Sequence, residues 1–239
     1  MLVRDAVSTV VSSMWGGSLG GMLLGSQDWT ELLNRSWPDR PEAPALLDIG
    51  AGNGKATAHL AAGLGGTGAT AGVEVSAMCR ARLRMAGLAA HRSVDEARRH
   101  SGPFDAVSMF NLLDRCECPR RMLADAAAAT MAGGRVIVAL RLPLEAYVWS
   151  AGGAITPQSG SLDTAYGTRG QDGSWYAHLG ALVADVEADT ALGLEVVSWC
   201  RAPYLLQSGD AAGDGDFTAM DTALLVLRRR GGGAGRGVR

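Results

Sequence analysis

The chain has 239 residues and a formal net charge of −2, and this length suits one large α/β domain with a full core. Because acidic and basic residues are nearly balanced, no global basic field exists to attract nucleic acid or an anionic membrane surface. No apolar run approaches the roughly 18 to 20 residues of a membrane-spanning helix. We therefore expect a globular domain with neither a nucleic-acid partner nor a membrane span.

The four cysteines lack the Cys-x-x-Cys and zinc-ligand spacings; they are Cys79, Cys116, Cys118 and Cys200. Ordinary reduced thiols are favoured over a metal or redox pair at Cys116 and Cys118, so no metal site is expected. Reduced thiols favour an intracellular compartment. Residues 1–11 lack the apolar region and cleavage site of a signal peptide, while a targeting segment ahead of the present first residue stays open.

Residues 1–40 are predicted to form an N-terminal segment that is helical or flap-like. A helix is expected over residues 28–34, with Ser26 as its cap. The glycines within residues 16–21 are unfavourable in a helix and indicate a linker. A flap that approaches a ligand is the alternative. We expect this segment to precede the main domain, which is predicted to span residues 41–230.

A glycine-rich loop follows the first predicted strand. Residues 46–49 form an apolar run typical of a buried parallel strand, and Gly50, Gly52 and Gly54 follow at alternate positions. Such glycines permit a tight turn and leave the backbone open to a ligand where a helix over residues 55–62 begins. The pattern therefore predicts a nucleotide-type loop.

The spacing of the glycines indicates which ligand the loop binds. A dinucleotide loop has glycine at its first, third and sixth positions, but the sixth position counted from Gly50 is Lys55. Glycine stands fifth, which resembles the first motif of the S-adenosylmethionine-dependent methyltransferases. Glu74 ends the next predicted strand, residues 71–73, where an acid can accept both ribose hydroxyls, and it agrees with either ligand. A Walker loop is excluded because no Gly-Lys-Ser/Thr follows. Residues 63–68 also match Gly-x-Gly-x-x-Gly, but they follow a helix and precede a strand, the reverse of a dinucleotide-binding loop, so they are interpreted as a flexible loop.

Helices and strands alternate through the rest of the chain. Helices are predicted over residues 76–86, 119–131 and 175–191, and strands over residues 88–91, 104–110, 135–142, 194–201 and 222–229. Asp95 and Glu96 follow the third strand, where proteins of this class often place a carboxylate against the adenine amino group. A surface loop is the alternative at that position.

Three further segments are predicted to be irregular. Residues 143–173 are rich in glycine, serine, threonine and proline and are too long for an ordinary connection, which indicates a functional loop or lid. Solvated turns are favoured over a calcium loop between the last two strands, because the aspartates there lack the EF-hand glutamate and spacing. Residues 231–239 form a Gly/Arg tail that we expect to be disordered.

The order of these elements predicts an α/β fold. Alternating strands and helices, with a glycine loop after the first strand and an acid after the second, are typical of a doubly wound sheet whose ligand lies at the carboxyl ends of the strands. Two terminal strands joined by a loop suit the Rossmann-like, seven-stranded sheet of class I methyltransferases, in which the last strand is antiparallel.

Residues 111–116, Asn-Leu-Leu-Asp-Arg-Cys, narrow this class to one family. Together with the glycine loop they resemble the DREV family, also called methyltransferase-like protein nine, over roughly residues 8 to 230. The likeness continues at Pro119 and in residues 134–140, 142–143, 147–148, 170–171, 203–205, 209–210 and 220–221. This chain departs from the relatives at Asn53, where they have aspartate, and at Phe217, in a stretch where they carry tyrosines.

The resemblance implies a protein-histidine methyltransferase that uses S-adenosylmethionine and releases S-adenosylhomocysteine. It would methylate the pros nitrogen, Nδ1, of histidine in His-x-His sequences with a small residue at x, so its partners would be proteins that expose this motif, and we expect it to act as a monomer. Carried over by position, the residues implied at the cofactor are Asp48, Gly50, Ala51, Gly52, Glu74, Asp95 and Asn111, and those implied around the target imidazole are Asn111, Asp114 and Tyr204.

Imidazole chemistry agrees with this assignment. With an unperturbed pKa of about 6.5, the ring is mostly neutral near pH 7 and already nucleophilic, so the enzyme has to orient it. A carboxylate at Asp114 could accept the proton of one ring nitrogen, select the tautomer that leaves the other bare, and stabilise the positive charge that develops. Without the family, Asp114 could equally cap the next helix and Tyr204 could be a core aromatic. A small-molecule methyltransferase and a catalytically silent binding fold are the competing functions.

Overall fold

The computed structural model describes residues 21–22, 24–142, 144, 148–149, 155–156, 162, 174–207 and 217–231. Of these, residues 21–22, 148–149, 155–156, 205–207 and 217–220 are described by their backbone alone. The predicted N-terminal flap, most of the predicted lid, the aspartates at 210–216 and most of the C-terminal tail lie outside the described residues.

Ten strands and six helices are described. The strands are β1 (Gly21–Met22), β2 (Leu46–Ile49), β3 (Thr70–Val73), β4 (Ala89–His91), β5 (Phe104–Phe110), β6 (Thr130–Arg141), β7 (Val148–Trp149), β8 (Ile155–Thr156), β9 (Leu194–Gln207) and β10 (Phe217–Arg229). The helices are α1 (Ser26–Ser36), α2 (Lys55–Gly63), α3 (Ala77–Met85), α4 (Val94–Ser101), α5 (Pro119–Ala129) and α6 (Trp175–Ala188).

Eight strands form one mixed sheet in the order β1-β9-β10-β6-β5-β2-β3-β4, and β7 pairs only with β8. β2 runs parallel to β3 and β5, and β5 runs parallel to β6. The last strand, β10, is antiparallel to both β6 and β9. Apart from the two-residue β1 at its edge, this is the predicted seven-stranded class I methyltransferase sheet, and the fold prediction is confirmed.

Helices cover both faces of the sheet, because successive strand residues point to opposite sides. On one face, α4, α5 and α6 bury side chains such as Ala97, Leu123 and Leu182. On the other face, α1 and α2 bury Trp29 and Leu60. α1, which was predicted as part of the N-terminal segment, therefore packs on the same face of the sheet as α2.

Several local predictions are wrong, among them the strand expected from residue 135, which begins at Thr130 because residues 130 and 131 belong to β6 and not to the preceding helix. Residues 94–101 form helix α4, which the sequence analysis did not predict; Ser93 caps it by accepting a hydrogen bond from the Glu96 backbone N–H at 3.2 Å. At α1, Gly25 and not Ser26 is the N-cap, and Asp28 accepts from the Gly25 N–H at 2.9 Å. β9 and β10 are both longer than predicted, since their pairing extends toward the loop between them.

Within the described part of the chain, no helix is long and apolar enough to cross a membrane.

Candidate active site

The glycine loop connects β2 to α2 at the carboxyl end of the parallel strands. Gly50, Gly52 and Gly54 all have positive φ angles, of 78°, 55° and 82°, which side chains other than glycine rarely adopt. The backbone N–H of Gly50 donates to the carbonyl of Val73 at 2.8 Å, tying the loop to β3. The turn that glycine was predicted to permit is therefore present, and it lies beside the end of the next strand.

Glu74, which is predicted to contact the ribose, is hydrogen-bonded to this loop. Its Oε2 accepts a hydrogen bond from the Gly52 N–H at 3.1 Å, and its Oε1 accepts from the Ser76 N–H at 3.1 Å. A Cβ placed on Gly52 would have no heavy atom within 4 Å. An open space thus lies directly beside a carboxylate held by two backbone N–H groups, which is an arrangement suited to a ligand that offers hydroxyl donors.

Asp48 lies beneath the loop, where its carboxylate is buried between β2, β5 and α2. Its Oδ2 accepts from Thr57 Oγ1 at 2.5 Å, and its Oδ1 accepts from Ser108 Oγ at 2.7 Å. Burial raises the pKa of Asp48 to about 6, although both hydrogen bonds lower it in part. The Asp48 side chain, which was predicted at the cofactor loop, is therefore hydrogen-bonded inside the protein, beneath that loop.

Ala51 and Asp95, two further residues predicted to bind the cofactor, have side chains that contact other parts of the protein. The methyl group of Ala51 is buried with Leu83, which leaves only its backbone for a ligand. Asp95 lies in the first turn of α4, 3.8 Å from Arg98, and lines a surface cavity with Gly102 and others near the amino end of β5. Among the described residues, no contact joins Asp95 to the glycine loop, so its role at the adenine stays a prediction.

The segment after β5 contacts the glycine loop through Leu112. A Cβ on Gly50 would lie 3.2 Å from Leu112 Cδ1, so the two turns pack directly on each other. Asn111 has a φ of 50°, and its N–H donates to the Ala139 carbonyl at 2.7 Å. Asparagine tolerates this left-handed conformation better than most residues, and such backbone strain is often found at functional sites.

Asp114 is the buried acid of this segment. Only 7% of the residue is exposed, and among the described residues its Oδ1 has no hydrogen-bond partner. Arg115 Nε lies 3.7 Å from its Oδ2. Burial raises the pKa of Asp114, while the charges of Arg115 and Arg141 and a backbone N–H counteract this in part. Since buried polar atoms are normally hydrogen-bonded, this oxygen is a candidate acceptor for a donor that is not part of the described chain.

Tyr204, the third residue predicted around the target ring, lies on β9. It is half-buried, and its backbone is in register with Met22 and Met220 of the flanking strands. β10 and β6 separate β9 from β5. The structure thus brings Asn111 and Asp114 together at one turn and places Tyr204 at the same edge of the sheet, three strands away.

Three supporting residues were missed by the sequence analysis, and they are Thr57, Ser108 and Leu112. A polar residue inside the apolar strand at Ser108 is a signal that could have been noticed, because the strand before it also carries a single acid, Asp48. Nothing in the sequence alone reveals that Leu112 packs on Gly50.

Solved structures with this fold are similar to the chain at low sequence identity. One is the candidate RNA methyltransferase PH1948 from Pyrococcus horikoshii, with a TM-score of 0.52, 13% identity and coverage of 86% of this chain and 83% of that one. A candidate methyltransferase from Bacillus halodurans C-125 gives a TM-score of 0.52 at 11% identity, covering 86% and 100%. The [4+2]-cyclase SpnF gives a TM-score of 0.51 at 17% identity, covering 97% and 96%. At such identities these similarities show the fold alone.

The family is shown by the sequence as a whole. The model of the DREV methyltransferases matches residues 9–229, a span that contains the glycine loop, Glu74 and the turn after β5. Membership and fold imply S-adenosylmethionine as the methyl donor, and its ribose would lie in the open space beside Gly52, next to the Glu74 carboxylate. The chain belongs to the DREV family and is an S-adenosylmethionine-dependent methyltransferase.

Proposed function

We propose that this protein methylates the Nδ1 atom of histidine in His-x-His sequences of other proteins. The observation that carries the proposal is the Asp114 carboxylate, which is buried beside the turn that packs on the glycine loop and has one oxygen without a hydrogen-bond partner in the described part of the chain. A bare buried acceptor of this kind matches a substrate that brings an N–H donor with it. The imidazole of histidine is such a substrate.

Asp114 would determine which nitrogen of the ring reacts. If its Oδ1 accepts the proton of Nε2, the ring is held as the tautomer in which Nδ1 is bare and nucleophilic. The same carboxylate stabilises the positive charge that the ring acquires as the new bond forms, and this interaction strengthens toward the transition state. Regiochemistry and rate enhancement would therefore come from one side chain.

The glycine loop and the turn after β5 would position the two reactants. S-adenosylmethionine, when bound, supplies an electrophilic methyl group, and Gly52 and Glu74 are the residues that would hold its ribose. Leu112 fixes the turn against Gly50, so Asn111 and Asp114 keep a constant position relative to the loop. Such fixed positioning can supply much of the barrier reduction in a bimolecular reaction. Tyr204 would close the substrate pocket from β9.

Peptide methylation tests the proposal directly. Two peptides that differ only at the motif, one with His-Ala-His and one with Ala-Ala-Ala, are incubated with the protein and methyl-labelled S-adenosylmethionine. We expect label only in the first peptide, and fragmentation mass spectrometry together with a 1-methylhistidine and 3-methylhistidine standard should assign it to Nδ1. Equal labelling of both peptides, labelling of neither, or methylation at Nε2 would contradict the proposal.

A further inference from the structure

Arg115 lies beside the acid that is proposed to hold the target ring. It follows Asp114 in the turn after β5, and its Nε is 3.7 Å from Asp114 Oδ2. The side chain of Arg115 is 51% exposed, whereas that of Asp114 is only 10% exposed. The pair therefore joins a cation at the surface of the protein to a carboxylate inside it.

The two carboxylate oxygens of Asp114 have different surroundings. Oδ2 lies next to the Arg115 guanidinium. Oδ1 is buried and has no hydrogen-bond partner in the part of the chain that the structure describes. Since an ionised carboxylate can accept at both oxygens, the cation at Oδ2 leaves Oδ1 for an N–H donor that a substrate would bring.

The backbone of the turn fixes where Arg115 begins relative to the glycine loop. The Arg115 N–H donates to the Leu112 carbonyl at 2.9 Å, and the Leu112 side chain packs on Gly50. A substitution that changes only the side chain of Arg115 leaves this hydrogen bond and this contact in place. The charge at residue 115 can therefore be altered without removing the bond that closes the turn.

Burial of Asp114 favours its neutral form, and a nearby cation opposes this. Burial raises the pKa of Asp114, and the charge of Arg115 is the largest influence that lowers it, ahead of that of Arg141 at the end of β6. Cys116, the next residue of the turn, adds no negative charge near pH 7, because burial raises the pKa of its thiol to about 11. A protonated Asp114 would carry no charge with which to stabilise a ring that becomes cationic.

We propose that Arg115 is a positioning residue that keeps Asp114 ionised near neutral pH and leaves Oδ1 directed to the target imidazole. This inference rests on the proposed function and adds to it a side chain that acts through Asp114. Glutamine at this position retains polarity but removes the charge, whereas lysine retains the charge. Because Arg115 is half exposed, solvent screens its effect, so the consequence of its removal should be moderate and should depend on pH.

The kinetic test measures kcat/KM on a His-Ala-His peptide from about pH 5 to pH 9 for the wild type, Arg115→Gln, Arg115→Lys and Arg121→Gln. Arg121 is a matched control because it is an exposed arginine in the first turn of α5, paired with Asp125 at 3.9 Å. In Arg115→Gln the acid limb should move to higher pH and lower kcat/KM about two- to fivefold at the pH where the wild-type value is half-maximal. The loss should be smaller at high pH, where Asp114 is ionised in both proteins. Arg115→Lys and Arg121→Gln should follow the wild type.

Titration of Asp114 itself separates this inference from the proposed function. With carbon-13 in the aspartate carboxyl groups, the NMR signal of Asp114 is identified by its absence in Asp114→Asn, and its titration midpoint is then measured in the same four proteins. We expect a higher midpoint in Arg115→Gln and unchanged midpoints in Arg115→Lys and Arg121→Gln. This result would support the inference even if no peptide were methylated, which would contradict only the proposed function.

Two results would overturn the role of Arg115. One is the same titration midpoint for Asp114 in all four proteins, which would show that the guanidinium does not influence its ionisation. The other is an acid limb of the rate profile that stays in place although the midpoint has moved, since the ionisation that depends on Arg115 would then not matter to the reaction.

Discussion

Leu112 packs on Gly50, and this contact joins the glycine loop to the turn that carries Asp114. A methyl group on Gly50 would lie 3.2 Å from Leu112 Cδ1, which is tighter than an ordinary van der Waals contact. The φ of Gly50 is 78°, so the backbone itself also favours glycine. The loop for the methyl donor and the proposed acceptor site therefore depend on each other for their geometry.

Gly50→Ala should lower the free energy of unfolding by about 1 to 2 kcal/mol from the left-handed backbone alone, and by more because of the crowding of Leu112. In a Leu112→Ala background the crowding disappears, and only the backbone cost should remain. Urea denaturation of the two single variants and the double variant measures this coupling. If the two substitutions lower the free energy of unfolding by strictly additive amounts, Leu112 can move away from a methyl group at residue 50 without an energetic cost.

Gly52→Arg should abolish binding of S-adenosylmethionine without unfolding the protein. The new side chain would extend into the open space beside Glu74, so we expect affinity to fall at least a hundredfold, about 2.7 kcal/mol, by calorimetry. Gly65→Arg is the matched control, because Gly65 also has a positive φ and open space around its Cβ but lies outside the loop. If both variants bind alike, the loop assignment is wrong.

Asp114→Ala should reduce kcat on a His-Ala-His peptide at least about a hundredfold, as expected when a group that stabilises developing charge is removed. Affinity for S-adenosylmethionine should stay within twofold, because the proposed mechanism assigns this carboxylate to the acceptor. Asp125→Ala, which removes an exposed carboxylate of α5 paired with Arg121, should leave both quantities unchanged. A large loss of cofactor affinity in Asp114→Ala would place the carboxylate in the donor site instead.

The activity should also fall as the solution becomes acidic. Burial raises the pKa of Asp114, so this acid takes up a proton at a higher pH than an exposed aspartate does, and its protonated form cannot accept from the substrate ring. Protonation of the target imidazole removes its nucleophilic lone pair in the same direction. In Asp114→Asn the residual rate should retain only the imidazole limb of the pH profile. An identical acid limb in both proteins would show that Asp114 does not titrate in the reaction.

Asp48 should make the protein less stable as the pH rises through 6. Its pKa is raised from the ordinary value of 3.8 to about 6, so the folded state binds the proton more tightly than the unfolded state. The resulting stabilisation is fully present below about pH 4 and is lost as the pH rises through about 6, with an upper size of the order of 3 kcal/mol.

The Asp48→Asn variant isolates this effect. The asparagine oxygen can accept from one of the two hydroxyls, and the side chain cannot titrate, so its stability should change less between pH 4 and 7 than that of the wild type. Chemical denaturation of both proteins at several pH values measures the difference. Parallel pH profiles would show that Asp48 does not titrate in this range.

The order of the elements could be predicted from the sequence because glycines and apolar runs mark it locally. Gly50 to Gly54 and the acid at Glu74 predicted the donor loop, and the structure brings Gly52 and Glu74 within hydrogen-bond distance. Helix α4 was missed because its Ser93 cap precedes a short, mostly polar helix with little apolar periodicity.

The rest of the site depends on contacts between distant parts of the chain. The hydrogen bond between Ser108 and Asp48 joins residues 60 positions apart, and no local sequence pattern predicts such a pair. The bare oxygen of Asp114 is equally a property of the folded surroundings, since the same residue in a solvated turn would be hydrated. Sequence could therefore name Asp114 as a candidate, but it could not show that the carboxylate is buried.

β5 lies between two groups of strands that come from different parts of the chain. β2 and β3, before residue 92, carry the parts that would hold the methyl donor, while β6, β9 and β10 lead away on the other side toward Tyr204. Under the proposed function, substitutions in the second group would alter which polypeptide is accepted and leave the donor loop intact. The turn at 111–114 lies between the two groups, so a change there would affect donor and acceptor together.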